Sequence, residues 1–238
     1  MDNGIWLKTV CTKNHFNISD QKILLIEKYC NELLSWNQKV NLISRVSEEL
    51  LWSRHIVGSI SFLFRFQLEA KSSVLDLGTG GGLPGIPLAI MQPDLRVMLL
   101  DSIQKKINAV NDVLSRLPLP NTATICSRAE NLSKRKEYQG TFDYIIARAV
   151  ASIKDIITWG RPLLRASQLE PNDFQAELER TGTIPKGAIL LLKGGELAQE
   201  TEEARRMFKL RGCYQFPITV DGIDPSELSD KKLVIVCP

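Results

Sequence analysis

The strongest chemical signal in the sequence is a glycine-rich stretch at residues 74–85, which reads VLDLGTGGGLPG. A short apolar run, typical of a buried strand, leads into Gly78, Gly80, Gly81 and Gly82 and then into a predicted short helix. Glycine lets a backbone turn sharply and come close to a ligand, because no Cβ stands in the way. The stretch therefore predicts a ligand-binding loop at the carboxyl end of a strand.

Two carboxylates accompany this loop. Asp101 ends the next predicted strand, where a carboxylate can accept hydrogen bonds from both hydroxyls of a ribose. Asp76 lies just before Gly78, where a negative charge suits an ammonium and a sulfonium group and disfavours a pyrophosphate. Gly78, Gly80 and Gly82 follow G-x-G-x-G, whereas the dinucleotide pattern places its third glycine one residue later. We therefore expect S-adenosylmethionine rather than NAD, with Asp76 as a simple acceptor of a loop N–H as the alternative.

Two more strand ends carry polar residues. The third predicted strand is followed by SRAE, residues 127–130, where the Ala129 backbone N–H and the Glu130 carboxylate would meet an adenine. A plain surface turn is an equal alternative there. Arg148 ends the fourth predicted strand directly after apolar residues, so its guanidinium should emerge over the same pocket. We assign Arg148 a positioning role in catalysis, with a structural ion pair as the alternative.

The elements that must position these residues alternate along the chain. Apolar runs at 74–77, 97–100, 123–126, 144–147 and 189–192 are separated by stretches of helical periodicity, which predicts an α/β fold. Its mostly parallel sheet would have helices on both faces, and runs at 216–220 and 233–236 would add a C-terminal antiparallel hairpin. Together with the glycine loop, this predicts a class I, Rossmann-like methyltransferase fold. The predicted buried stripe of the helix after the second strand comprises Ile103, Ile107, Val110, Leu114 and Leu117.

An N-terminal helical extension is predicted over residues 1–70, before the main domain at 71–238. One amphipathic helix would follow Ser19 as its N-cap, and a second would open near Ser47. Residues 166–187 are polar and contain two prolines, so we interpret them as an insert rather than a core element.

Composition excludes several classes of protein. The chain has 238 residues and a net charge of +3, far from the strongly basic balance of a free nucleic-acid binder. Its five cysteines are odd in number and form no C-x-x-C pair, so we expect neither a disulfide framework nor a metal site. The sequence shows no signal peptide and no run of membrane-span length. We expect a soluble, unprocessed monomer in the cytoplasm.

Several stretches resemble the bacterial small-subunit ribosomal RNA guanine-N7 methyltransferases of the glucose-inhibited division protein B family. The resembling stretches are WNQKVNLIS (36–44), SRHIVGS (53–59), LDLGTGGGLPGIPLAI (75–90), LLDSIQKK (99–106), SRAE (127–130), ARAVAS (147–152) and LLKG (191–194). The resemblance implies methylation of N7 of guanine 527 in 16S rRNA, with naked rRNA or the 30S subunit as the partner. It also implies a cofactor pocket formed by Gly78, Leu83, Asp101, Ala129, Glu130 and Arg148, with Arg128 and Lys193 near the RNA.

Three features depart from this family. The family usually has proline where Gly81 stands, an acidic residue where Gly58 stands, and no long insert at residues 166–187. The two substitutions should leave cofactor binding intact. The insert puts the edge of the RNA-facing surface in doubt.

Further cations are candidates for phosphate contacts, namely the run Lys134-Arg135-Lys136 and the pair Arg205-Arg206. For the run, simple solvation is the stronger interpretation. His55 could serve as a base, but its place in the extension favours a role in helix packing.

The motifs also limit which atom is methylated. The fourth strand ends in Ala-Arg-Ala-Val instead of the Asn- or Asp-Pro-Pro-aromatic motif of amine methylases, and no Pro-Cys nucleophile follows a strand. Guanine N7 needs neither device, because its lone pair is free to attack a sulfonium methyl. No general base is then required. Two alternatives stay open: a non-catalytic RNA-binding ribosome-assembly factor with the same fold, and a nucleotide-dependent oxidoreductase.

Overall fold

A seven-stranded sheet forms the centre of the molecule in a computed structural model, which describes residues 2–44, 50–167 and 171–238. The strands of the sheet lie in the order β4-β3-β2-β5-β7-β9-β8. The first five are parallel, whereas β9 runs antiparallel to both β7 and β8. Their bounds are β2 Ser73–Leu77, β3 Arg96–Asp101, β4 Thr122–Cys126, β5 Tyr144–Arg148, β7 Ala188–Gly194, β8 Gly212–Pro217 and β9 Lys231–Cys237; β1 Gln67–Leu68 and β6 Thr183–Ile184 form a separate pair.

Helices cover both faces of the sheet, and two separate apolar clusters form beneath them. The α-helices are α1 Asn3–Lys13, α2 Asp20–Asn37, α3 Gly58–Ile60, α4 Gly85–Met91, α5 Gln104–Arg116, α6 Ala129–Leu132, α7 Ile153–Gly160, α8 Pro171–Thr181, α9 Ala198–Phe208 and α10 Pro225–Leu228. A π-helical segment, Leu51–Val57, leads into α3, and 3₁₀ turns occupy Ser61–Phe64 and Lys136–Tyr138.

The predicted fold class is confirmed. Each of the five apolar runs lies within a parallel strand. Strands β2, β3, β5 and β7 are buried at most positions, as expected of strands covered on both faces, whereas the edge strand β4 has no buried residue. The register aligns Asp76 with Leu99 and Ile146, so the carboxyl ends of β2, β3 and β5 lie side by side. This edge of the sheet, next to the point where strand order reverses, is where open α/β sheets bind ligands.

The N-terminal helices share a core with the sheet. Ser19 caps α2 as predicted, accepting a hydrogen bond from Lys22 N, but α1 was not predicted. Leu7, Ile26 and Leu33 are buried in the same apolar cluster as the sheet residues of that face. The predicted helix start near Ser47 lies outside the described residues. The boundary predicted at residue 70, between an N-terminal extension and the main domain, stays a prediction. The helices before it pack against the sheet.

Two local expectations are wrong, and the insert at residues 166–187 stays a prediction. Within that range, α8 buries Phe174 and Leu178 and β6 buries Ile184 against the main apolar cluster, so part of it contributes to the core. Ile103 is 47% exposed, because it precedes α5 instead of belonging to its buried face. The first hairpin strand is β8, which lies earlier than 216–220 and ends at Pro217. Among the described residues, no helix is long and apolar enough to cross a membrane.

Candidate functional site

A cavity with a volume of about 530 Å³ opens at the carboxyl ends of β2, β3, β4 and β5. Seven of the nine predicted cofactor residues line it, as does the predicted RNA contact Arg128; the seven are Gly78, Gly80, Leu83, Asp101, Ala129, Glu130 and Arg148, the last also predicted to position the reactants. Two predicted cofactor residues, Asp76 and Gly82, are not in its lining, and neither is Lys193. The volume falls in the range of small-molecule sites.

The glycine loop forms the floor of this cavity. The backbone N–H groups of Gly78 and Thr79 donate to the Leu100 carbonyl, which ties the loop to the end of β3. Gly78 has φ of +78°, in the left-handed region, and a Cβ there would lie 2.6 Å from a methyl carbon of Val150. Glycine at this position therefore satisfies both the turn and the close contact with Val150.

Asp101 fixes the loop to the start of α5. Its Oδ2 accepts a hydrogen bond from Gly80 N at 3.0 Å, and its Oδ1 accepts one from Ile103 N at 2.9 Å. The strand end at Asp101 is buried, since the residue is only 7% exposed, although a carboxylate at a strand end would be expected to be exposed. A carboxylate has about four acceptor positions, and two remain for hydroxyl groups of a ligand in the cavity.

We expect Asp101→Ala to weaken cofactor binding and also to destabilise the fold. The ribose acceptor is lost, which costs about 1–3 kcal/mol of binding, and the Gly80 and Ile103 N–H groups lose their buried acceptor, which lowers the stability of the fold. Titration calorimetry with S-adenosylmethionine and urea unfolding measure the two effects separately.

Asp143→Ala is the matched control. Asp143 is also a buried carboxylate that accepts a backbone N–H, from Ser73, but it lies at the amino end of β5, away from the cavity. It should lose stability and keep cofactor affinity. Unchanged affinity in Asp101→Ala would remove Asp101 from the binding site.

Asp76 lies under the loop and is completely buried. Its Oδ2 accepts from the Thr79 hydroxyl at 2.5 Å and from Gly85 N, the first residue of α4, at 2.8 Å, whereas its Oδ1 has no partner within the described ranges. The geometry is that of the loop-capping alternative. Burial raises the pKa of Asp76 to about 7, against the opposing effect of these two hydrogen bonds and with a smaller contribution from Asp101.

Arg148 joins the cavity to the N-terminal helices. Its Nη1 donates to the His55 carbonyl at 3.0 Å and to Ser59 Oγ at 2.9 Å, and its Nη2 lies 2.7 Å from His55 Nδ1. The alternative of a structural ion pair does not describe these contacts, because the three partner atoms are neutral. Burial lowers the pKa of Arg148, while Tyr29 and Asp76 act in the opposite direction.

The protonation of His55 follows from this contact. An arginine nitrogen can only donate, so His55 Nδ1 accepts and the ring proton is on Nε2. Burial, then Arg148 and Arg54, lower the pKa of His55 to about 4. His55 also lines the cavity. It is thus a neutral wall residue whose accepting nitrogen is already occupied.

The opposite wall comes from β4, α6 and α7. Ala129 is buried at the start of α6, and Glu130 follows it. Arg128 is exposed, and its side chain has no described hydrogen-bond or ion-pair partner. Trp159 of α7 and the exposed Ile103 complete an apolar side of the cavity. This combination of a carboxylate with apolar surfaces can hold a flat heterocycle such as adenine.

Four of the other predicted cations, Lys193, Arg135, Arg205 and Arg206, contact groups of the protein itself. Lys193 Nζ contacts Glu200 Oε1 at 2.8 Å and the Ala151 carbonyl at 3.1 Å. Arg205 donates to the Cys213 carbonyl, Arg206 pairs with Glu202, and Arg135 pairs with Glu137. The ammonium of Lys193 is thus paired within the protein, and its assignment as an RNA contact stays a prediction.

Gly81 shows how this chain accommodates its departure from the family pattern. A Cβ there would lie 2.6 Å from Leu33 Cδ1 and 3.1 Å from Leu42 Cβ, and the Gly81 carbonyl accepts from the Tyr29 hydroxyl at 2.9 Å. Leu33 and Leu42 of the N-terminal segment therefore pack so closely against the glycine loop that a side chain at Gly81 would not fit without their moving. Leu42 itself lines the cavity, and Asn37 Oδ1 fixes its position by accepting from Leu42 N.

Sequence reasoning missed several wall residues: Leu42, Ile43, Thr79, Lys106, Val150 and Trp159. Only Thr79 carried a local signal, since it stands inside the glycine loop. The others reach the cavity through tertiary packing, which periodicity does not reveal. Within the described ranges, no cluster of three or more His, Cys, Asp or Glu side chains could hold a metal ion.

Comparison with known proteins points to one family. A family model described as rRNA small subunit methyltransferase G matches residues 22–169. A protein of that name from Chlorobium phaeobacteroides is 32% identical over 234 residues, covering 96% of this chain and 93% of the relative. Another, from Flavobacterium psychrophilum, is 36% identical over 190 residues, covering 79% of this chain and 82% of the relative.

Solved structures share the fold at low identity. A chain from the Haloferax volcanii complex between the Trm112 methyltransferase activator and a methyltransferase superposes with a TM-score of 0.57 at 13% identity, covering 86% of this chain and 96% of that one. The [4+2]-cyclase SpnF superposes with a TM-score of 0.51 at 12% identity, covering 75% and 77%. A cyclase on this fold means that fold alone does not determine the reaction.

Proposed function

The chain belongs to the rRNA small subunit methyltransferase G family, and we propose that it transfers the methyl group of S-adenosylmethionine to N7 of guanine 527 in 16S rRNA. The observation that carries this proposal is the cavity at the carboxyl ends of β2, β3 and β5, where a glycine loop is held in place by Asp101. Its substrate is 16S rRNA, alone or in the 30S subunit. The protein acts as a monomer in the cytoplasm.

The polar groups of the cavity fit S-adenosylmethionine, which when bound supplies an electrophilic methyl group. Asp101 has acceptor positions left for the ribose hydroxyls, and Glu130 and the Ala129 N–H lie on the side suited to adenine. Gly78, Gly80 and Leu83 supply the loop surface, and Arg148 supplies a cation for the carboxylate end. Asp76 and Gly82 act indirectly: Asp76 holds the loop from below and contributes negative charge beneath it.

The RNA would approach over the cations that the protein leaves unpaired at the cavity mouth. Arg128 is exposed and Lys106 is half-buried, and among the described contacts neither side chain has a partner. Phosphate contacts of this kind supply most of the sequence-independent affinity for RNA. Arg128 is therefore retained as an RNA contact.

The reaction needs no proton acceptor. With the cofactor held by Asp101, Glu130 and Arg148, the guanine N7 lone pair would take the methyl group as the carbon–sulfur bond breaks, and the positive charge would pass from sulfur to the methylated base. No proton is released, so the task of the protein is to hold the two reactants in line. His55 agrees with this requirement, because its Nδ1 is occupied by Arg148 and its pKa is about 4.

We expect the single-turnover rate at saturating RNA and cofactor to be nearly flat from about pH 6 to 8.5. A histidine base with an ordinary pKa would instead impose a rise near 6.5. His55→Asn keeps an oxygen that can accept from Arg148 and removes the titratable ring, so it should retain most of the rate. A steep acid limb in the wild type that disappears in His55→Asn would show that His55 acts as a base.

Two measurements test the proposed function as a whole. Titration calorimetry should detect S-adenosylmethionine binding, whereas NADH should not bind when followed by its fluorescence. Mass spectrometry of 16S rRNA from cells lacking the gene should show loss of one N7-methylguanine at position 527. If the protein bound no S-adenosylmethionine and loss of the gene left the methylation of 16S rRNA unchanged, a non-catalytic ribosome-assembly factor would be favoured instead.

A further inference from the structure

The loop at residues 149–152, which connects β5 to α7, has an unusual conformation beside the cavity. Ala149 has φ of +51°, a left-handed conformation that few residues other than glycine adopt. Val150 follows it, is 38% exposed, and lies against the α-carbon of Gly78 in the glycine loop. Both Ala149 and Val150 line the cavity. The position of this loop therefore shapes one wall of the site.

Two charged side chains hold the loop from outside the cavity. Lys193, near the end of β7, donates to the Ala151 carbonyl at 3.1 Å. Glu200, in the first turn of α9, accepts from both Lys193 Nζ and the Ile153 backbone N–H at the start of α7. The two charges are mutually paired at 2.8 Å. Together they bind the loop on both sides of Ser152.

Burial separates this pair from ordinary surface ion pairs. The side chains are only 15% exposed for Lys193 and 27% for Glu200, so the pair is little screened by solvent. A partly buried carboxylate next to the amino end of a helix is also stabilised by that helix's first N–H groups. The arrangement is specific to this loop, because its two backbone contacts are to Ala151 and Ile153.

We propose that Lys193 and Glu200 are positioning residues, which hold the 149–152 loop and thereby Val150 against the glycine loop so that the cofactor cavity is preformed. They touch neither RNA nor cofactor. The part that concerns cofactor affinity rests on the proposed function above. The part that concerns the loop does not, because the contacts exist in the protein alone.

The test compares Lys193→Met and Glu200→Ala with a matched control, Lys232→Met. Lys232 lies opposite Lys193 in the sheet register and approaches Glu196 at 3.9 Å, but it has no described contact with the loop. Amide hydrogen exchange should accelerate at residues 150–153 in the first two variants and stay unchanged in the control. Lys193→Arg, which retains the charge, should restore most of the protection.

Cofactor and RNA binding supply a second readout. We expect each of the two variants to weaken S-adenosylmethionine binding about threefold to thirtyfold, and the double variant to weaken it no more than the worse single one. The slope of log K for RNA against log salt should stay at its wild-type value. Arg128→Ala, by contrast, should reduce that slope by about one, because one phosphate contact is lost.

Each outcome decides the proposal. Unchanged exchange at residues 150–153, with a salt slope that falls in Lys193→Met as it does in Arg128→Ala, would overturn it and return Lys193 to the RNA surface. If the wild type bound no S-adenosylmethionine, the proposed function would fail, and faster exchange in both variants would still support the loop-positioning role.

Discussion

Arg148→Ala should cause the largest loss of function of any single substitution in the cavity wall. The guanidinium makes hydrogen bonds to the His55 carbonyl, His55 Nδ1 and Ser59 Oγ, and it interacts electrostatically with Asp76 beneath the glycine loop. Its removal breaks three hydrogen bonds and leaves His55 Nδ1 without a donor, whereas the His55 carbonyl still accepts from Ser59 Oγ. We expect a cost of about 2–4 kcal/mol in stability. It also removes the charge available to a carboxylate ligand.

We therefore expect cofactor affinity to fall roughly thirtyfold or more and single-turnover methylation to fall about a hundredfold or more, as a misplaced reactant loses its effective concentration. Calorimetry and single-turnover assays measure the two effects below the unfolding temperature of the variant.

Two variants separate the contributions. Arg148→Lys keeps the positive charge, but a lysine ammonium lacks the planar guanidinium that donates to several acceptors at once. This variant should therefore recover only part of the cofactor affinity. Arg161→Ala removes an exposed arginine at the end of α7, whose described contact is with the Phe208 carbonyl, and should change neither measurement. Wild-type affinity and rate in Arg148→Ala would exclude Arg148 from the site.

The sheet was predictable because its physics is local. A parallel strand covered by helices on both faces is apolar throughout, so β2, β3, β5 and β7 are visible as continuous runs. The helix α8 was missed because most of its residues are polar and a few buried side chains, such as Phe174 and Leu178, attach it to the core. Such a sparse pattern resembles an insert until its packing partners are known.

The candidate site likewise contains residues that could be predicted from the sequence and residues that could not. The glycine loop and Asp101 are consecutive strand ends, so their convergence follows from topology alone. His55 reaches the cavity from the N-terminal helices, and its contact with Arg148 joins residues 93 positions apart. For Lys193, the sequence indicated the position of the residue but not the direction of its side chain. Its position near the site was predicted from the resemblance, but the direction of its charge depends on Glu200, which belongs to a different element.

The second large effect concerns Asp76 and pH. Its pKa in the folded protein is about 7, against an ordinary value of 3.8, because burial penalises the charged form. Between these values the folded protein holds a proton that the unfolded chain has lost. The contribution of Asp76 to stability is therefore fully present below about pH 4 and is lost as pH rises through 7.

We expect Asp76→Asn, which is neutral at every pH, to gain stability relative to the wild type by about 2–3 kcal/mol between pH 5 and pH 8, since each pH unit below 7 contributes about 1.4 kcal/mol. Urea unfolding of both proteins at several pH values measures this difference, and the titration of all other groups cancels in the comparison. Parallel stability curves for the two proteins would contradict a raised pKa.

The same proton should report on the ligand. A cation bound above the glycine loop favours the ionised form of Asp76 and lowers its pKa, so binding expels the proton. Affinity for S-adenosylmethionine should then rise from pH 5 to about pH 7 in the wild type and stay level in Asp76→Asn, with a binding enthalpy that depends on the buffer only in the wild type. A pH-independent affinity in both proteins would mean that the charge of Asp76 is not felt in the cavity, and that Asp76 serves only to hold Thr79 and Gly85 in place.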